Sequence, residues 1–449
     1  MDLSAALPIL QAVEPLTEVY ARLDARERVI LGAPDSAKPV TTALLARRHR
    51  RAPTLLLAAR ELDAQAYAEQ LAAWTDGAAA HFPAYAALPY QREAPDPTIT
   101  AERLRVLHAI ASGVPLGPPL IVASVAAASG HTIAPADLSR GAGTVARGDH
   151  VGLDALARRL VQAGYDVGPL VEAPGQAARR GGLLDVFPPV LRFPVRIEFF
   201  GDEVESIRAF DPDSQRTIEQ LDRVTLGPAR EWFADAADLI RLAARLDHAR
   251  TDEAEEELHA LRRGELPAAH RYGPLASQAT LLDHLSRDAL LLLDEREAIE
   301  AAASDQDELT RERRADLASH GDLDPDAPFP HASRNELVAG IEGHPRRVEL
   351  ARWATGREPG AFRLPWGTAD AYAGRLPAAA GDHARQQTRG DRVLVVTQQA
   401  QRFAEVLAEH GVRTAVRDRL DDAPGPGSIS LLQGALPEGW SVATPTGIV

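Results

Sequence analysis

The chain has no cysteine, one methionine and only 5% aromatic residues among 449 positions. The missing cysteine excludes disulfides, thiolate metal sites and a cysteine nucleophile, and it fits a reducing compartment. So few aromatics leave Ala, Leu and Val to fill the cores. No run approaches the roughly 20 apolar residues a membrane span needs. The start, Met1-Asp2-Leu3-Ser4, lacks the basic stretch and apolar core of a secretion signal. A soluble, cytoplasmic protein without a membrane partner is expected. Positive charge is also short: 49 Lys and Arg face 64 Asp and Glu, a net −15. That balance argues against a dedicated nucleic-acid coat, because phosphate affinity comes mainly from Lys and Arg. Almost all the cations are Arg, which suits planar hydrogen bonding but also follows from an Ala- and Arg-rich composition. The 14 histidines show no H-E-x-x-H or similar metal spacing, and G-x-S-x-G is absent.

What is present reads as two to four domains at roughly 100–200 residues each. Up to about residue 145, short apolar runs alternate with helical patterns: Arg28–Leu31, a helix Thr41–Arg48, Thr54–Ala58, a helix Glu61–Trp74, a helix Ala101–Ala111 and Leu120–Ala123. Unalternating apolar runs between helices are the pattern of buried parallel strands. From about 146 to 230 the pattern changes: Arg192–Phe200 alternates, Gly201-Asp202 turns the chain and Glu203–Phe210 returns, an antiparallel hairpin in a small α+β insert. Helical, charged sequence follows from Trp232 and reaches the apolar strand Ala289–Leu293. Residues 301–345 carry few large apolar side chains and read as a mobile helical excursion or long surface loop. Pro377–Gly390 reads as a linker, and Val393–Val396, a helix Gln398–His410 and Ser428–Leu431 as a further β-α-β unit. The chain stops in the rising apolar run Thr446–Val449, which suggests a piece of something longer.

Three constellations bear on chemistry. Gly32-Ala33-Pro34-Asp35-Ser36-Ala37-Lys38-Pro39 lies between a strand and a helix, where a phosphate loop G-x-x-x-x-G-K-[ST] would lie. Gly32 and Lys38 are in place. Ala37 stands where the second Gly belongs, and Pro39 stands where a hydroxyl would hold magnesium and lacks an N–H as well. A strand–turn–helix corner without nucleotide is the favoured reading. Asp294-Glu295, at the end of an apolar strand, has the form of a magnesium-holding and water-activating pair. Together the two motifs look like the remains of a nucleotide hydrolase, with no catalytic residue expected. Third, alternation in the hairpin sets Val195, Ile197 and Phe199 on one face and Arg196, Glu198 and Phe200 on the other. The second face is either a docking surface or merely solvated. The run Arg47-Arg48-His49-Arg50-Arg51 reads as a C-terminal partner of its helix dipole more than as a phosphate site.

The block from Arg180 to Thr217, RGGLLDVFPP followed by VRIEFFGDEVESIRAFDPDSQRT, closely resembles the domain shared by UvrB and the transcription-repair coupling factors. Phe82-Pro83, Leu88-Pro89-Tyr90 and Glu102-Arg103-Leu104 resemble the coupling-factor version. The broken phosphate loop, and the lack of UvrB's long DNA-wedging hairpin, favour the coupling factors over UvrB. The resemblance implies a degenerate RecA- or helicase-like parallel α/β fold with an inserted α+β domain and a C-terminal small α/β domain. The implied boundaries are 1–145 and 232–376 for the UvrB-like 1a and 1b parts, 146–231 for the insert and 377–449 for the small domain. It implies a non-catalytic adaptor that docks UvrA, the alternatives being a residual ATPase using Lys38, Asp294 and Glu295 or a UvrB-like DNA-binding repair subunit. RNA polymerase, DNA, ATP and magnesium belong to regions of the full-length relatives outside this sequence, so no cofactor is expected here. The resemblance also implies that a C-terminal domain of those relatives masks the UvrA face. UvrB's UvrA-contacting Arg before the motif Gly falls on Arg180, and the Arg of the R-[IV]-E-F-F strand on Arg196. A further UvrB Arg falls on Ala178, with Arg179 displaced by one. Phe187, Glu198 and Phe200 complete the expected docking set.

Overall fold

The computed structural model describes residues 1–112, 120–141, 143–232, 236–246, 250–354, 359–372, 374–444 and 447–448. Its centre is a seven-stranded parallel sheet in the order Ala361–Arg363, Val29–Gly32, Arg347–Ala351, Leu290–Asp294, Thr54–Ala58, Leu120–Ser124, Ala79–Phe82. Strands from early and late in the chain thus share one sheet. Both faces are covered, which is why the central strands are apolar throughout. Leu56, Leu290 and Leu292 pack with Val40 and Leu44 of the helix Lys38–Arg48 on one side. Leu55, Leu57, Leu291 and Leu293 pack with Leu104, Leu107 and Ile299 on the other.

The insert is a six-stranded sheet in the order Thr217–Leu221, Glu203–Phe210, Val195–Phe200, Leu183–Val186, Gln176–Arg180, Asp166–Gly168. The expected hairpin is there: Ile197 opposes Ile207, Arg196 opposes Arg208, and Gly201 takes a φ of +62° in the two-residue turn. The helix Leu153–Gln162 covers the face carrying Val195, Ile197 and Phe199, burying Leu153, Leu156 and Leu160 there. Gly143–Ala146 pairs antiparallel with Arg223–Leu226, bringing the insert's entry and exit together.

Of the two readings of residues 301–345, the helical one holds: they form most of the helix Arg296–Ser319 and the helix Arg334–Gly343. The first buries only a thin stripe, Ile299, Ala303, Asp307 and Thr310. Asp307 accepts the backbone N–H of Arg334 at 3.1 Å, and a Ser333–Glu336 capping box starts the second helix. Small and polar side chains with specific hydrogen bonds replace the large apolar residues that composition looks for. Pro377–Gly390 is not a linker but lies in the helix Leu376–Arg389, which Gly390 ends at a φ of +93°. Its Ala379 and Ala380 pack against Phe403, Leu407 and Leu431. That cluster includes the expected β-α-β unit, with Val393–Thr397 parallel to Ile429–Gln433 and the helix Ala400–Glu409 against them. Of the terminal run, Thr446 and Val449 lie outside the described residues. No helix among the described residues is long and apolar enough to cross a membrane.

Candidate functional site

The loop Gly32–Pro39 lies at the C-terminal end of the parallel strands, the usual ligand position in open α/β sheets. The sheet brings Gly32, Ala37, Lys38, Pro39, Asp294 and Glu295 together there. Lys38, the chain's sole lysine, is 1% exposed. Its Nζ lies 2.6 Å from Asp294 Oδ1, 2.6 Å from Glu295 Oε1 and 2.9 Å from Asp35 Oδ1. The ammonium that would meet a phosphate is surrounded by carboxylates of its own chain. Arg352 closes the cluster, its backbone N–H donating to Glu295 Oε1 at 2.7 Å and its guanidinium pairing with Asp35. Burial holds the Asp294 carboxyl above its ordinary range even with Lys38 and the Tyr67 hydroxyl against it. Three of the loop's backbone donors are also taken: Ala33 N–H by Ala351 O at 3.0 Å, Ala37 N–H by Pro34 O at 2.9 Å, and Lys38 N–H by Asp35 O. Gly32 is needed for packing, since a Cβ there would sit 3.0 Å from Ala354 Cβ. Sequence reading missed Asp35, Tyr67 and Arg352 as members of this cluster; an acid three residues before the lysine was the one local signal.

The second site is the insert-sheet face opposite the helix Leu153–Gln162. Cross-strand pairing sets Ala178, Asp185, Arg196 and Arg208 in one row across that face. Asp185, 2% exposed, accepts from Arg196 Nε at 2.7 Å, Arg196 Nη2 at 2.8 Å and Arg180 Nη2 at 3.1 Å. Arg196 also donates to Gln215 Oε1 at 3.0 Å and lies over the Phe210 ring at 4.6 Å. The adjoining Glu198 accepts from Arg208 at 2.9 Å and from Ser206 at 3.0 Å. Phe200 is 76% exposed at the hairpin tip. Phe187 is buried with Ala178 and Val171 under the same face. Arg179 stands apart from the set, since alternation turns it to the helix side, where it pairs with Asp154. Asp185 was missed, although a single acid inside the apolar stretch Leu183–Phe187 signals a buried charge that needs partners.

The basic run ends the helix Lys38–Arg48 as a dipole partner would. It lines a cleft with Asp24, Asp288 and Arg346, in which Arg48 pairs with Asp24 at 3.0 Å and Arg346 with Asp288 at 2.8 Å. Among the described residues no group of three or more His, Cys, Asp or Glu is arranged to hold a metal ion.

Comparison with known proteins bears on the insert first: residues 144–232 match the UvrB interaction domain. A transcription-repair-coupling factor of Myxococcus xanthus is 39% identical over 266 residues, covering 56% of this chain and 22% of that protein. One of Bacillus subtilis is 32% identical over 292 residues, 60% of this chain and 24% of its own length. The chain is a relative of the transcription-repair coupling factors. The UvrABC system protein B of Thermotoga petrophila is 26% identical over 478 residues, covering 91% of this chain and 68% of that protein. The match thus spans under a quarter of each coupling factor but most of the UvrB-type protein. The parallel sheet with its flanking helices is consistent with a UvrB-like α/β protein.

Proposed function

We propose that this chain is a non-catalytic adaptor whose UvrB interaction domain docks UvrA, linking a coupling factor's stalled-polymerase response to excision repair. The observation that carries the reading is the outer face of the insert, where Arg180 and Arg196 converge on Asp185 and the exposed Phe200 stands on the same face at the hairpin tip. Planar, charge-assisted Arg contacts next to an aromatic are the usual composition of an interface hot spot. The docking set is Arg180, Arg196, Glu198 and Phe200, with Phe187 supporting the face from beneath. Polymerase displacement, DNA translocation and ATP hydrolysis are assigned to the parts of a coupling factor outside this sequence.

The non-catalytic half of the proposal is supported by Lys38, whose charge is met by Asp35, Asp294 and Glu295. Residues of a P-loop would bind the phosphates through Lys38 and the loop N–H groups and magnesium through a hydroxyl. Here three of those N–H groups are already paired, and position 39 is a proline.

The test is gel filtration and calorimetry of the whole chain with UvrA. Wild type co-elutes, and Arg180→Ala with Arg196→Ala lowers affinity by about 3 kcal/mol, the scale of an interface hot spot. Undiminished binding by that double variant, with its melting curve unchanged, overturns the docking reading. Saturable heat on titrating magnesium-ATP, abolished by Lys38→Ala, would overturn the non-catalytic one.

A further inference from the structure

Resting on the docking reading, we infer that the outer face of the insert receives a single carboxylate of the partner between Arg180 and Arg196, and that buried Asp185 is the positioning residue that sets both guanidiniums for it. Two guanidiniums and one carboxylate leave one unit of positive charge, while the neighbouring Glu198–Arg208 pair is neutral by itself. The geometry is equally specific. Both Nη2 atoms converge on Asp185 Oδ2, so the two arginines share one oxygen. Arg196 is fixed on three sides, by the bidentate contact to Asp185, by Gln215 Oε1 and by the Phe210 ring. Its Nη1, with Nε and Nη1 of the half-exposed Arg180, has no hydrogen-bond partner among the described residues. Donors held in a plane match the two oxygens of a carboxylate, and a preset side chain loses less rotamer entropy on binding. Free arginines on an open strand would lose that entropy at the moment of contact.

The test exploits a difference in sign. Asp185→Asn makes the face more positive, so if net charge alone governed docking, UvrA would bind more tightly. If Asp185 positions the arginines, the same variant weakens UvrA binding by about tenfold or more, the scale of a lost charged hydrogen bond. The loss lies in the dissociation rate, since steering charge has not fallen. Arg180→Lys keeps the charge but not the planar fork, and is expected to weaken binding by about tenfold for the same reason. Gln215→Ala, in an exposed turn, releases Arg196 without touching the buried acid, and stands in if Asp185→Asn does not fold; it too must raise the dissociation rate. Tighter or unchanged binding by Asp185→Asn, or by Gln215→Ala in its stead, overturns the positioning role; wild-type affinity in Arg180→Lys overturns the carboxylate. If instead the Arg180→Ala, Arg196→Ala double variant binds normally, the docking reading itself falls.

Discussion

Lys38 holds its ammonium 2.6 Å from the carboxylate of Asp294, in the place where a nucleotide hydrolase would keep both groups for phosphate and magnesium. The contact joins the start of the helix Lys38–Arg48 to the end of the strand Leu290–Asp294, and Glu295 and Asp35 extend it to Arg352. Together these residues form a partly buried ion cluster, whose contribution is to stability.

Lys38→Ala is therefore expected to destabilise the fold, by about 3 kcal/mol, because it leaves the mostly buried Asp294 carboxylate without its counter-charge. Urea denaturation followed by far-UV circular dichroism measures this. A midpoint equal to wild type would mean the cluster holds nothing.

The sole lysine supplies a direct probe of that cluster. Under native conditions an amine-acylating reagent is expected to modify the α-amino group of Met1 and leave Lys38 untouched; after denaturation it modifies both. Mass spectrometry of the peptide holding Lys38 reads the opening of one buried residue, and rapid native labelling contradicts its burial.

Arg103 and Glu231 form a second buried pair at 2.6 Å, with Arg103 between the Phe82 and Tyr85 rings and Glu231 also held by Thr132. Glu231 lies at the end of the insert, so the pair anchors the insert's exit on the helix Pro97–Ser112. Arg103→Ala is expected to cost about 3–5 kcal/mol, and Arg103→Met with Glu231→Leu much less, since the double change leaves no unpaired buried charge. Equal losses in the two variants would refute that account.

His131, His284 and His331 are held below the ordinary value of 6.5, in each case chiefly by burial. A histidine depressed in the folded state binds its proton more readily when unfolded. Its stabilising share is complete above about pH 6.5 and is lost as pH falls below that value toward the folded one. Urea midpoints are expected to drop between pH 7.5 and 5.5, and His331→Gln to flatten the drop. A midpoint that rises on acidification would contradict the sign.

Much of the fold was legible because its signals are local. Thr54–Ala58 and Glu61–Trp74 were bounded as the structure has them, since an unbroken apolar run and a long helical pattern need no knowledge of neighbours. The hairpin's two faces followed from alternation alone. The helix Leu376–Arg389 was not legible, because Ala379 and Ala380 carry no apolar signal strong enough to announce the cluster they join. Arg179 illustrates the same limit at the site: one residue of register decides which side of the sheet it faces.

By itself the sequence determined that the lysine of the phosphate loop would lack its glycine and hydroxyl companions, and which strand face would carry Arg196, Glu198 and Phe200. Backbone chemistry and the two-residue period of a strand are properties of consecutive residues. Only the tertiary structure decided that Asp35, Asp294 and Glu295 converge on Lys38, and that Asp185 stands beneath two arginines. Those contacts join residues brought together by sheet order and register, and a buried charge is tolerable only where the whole fold supplies its counter-charge.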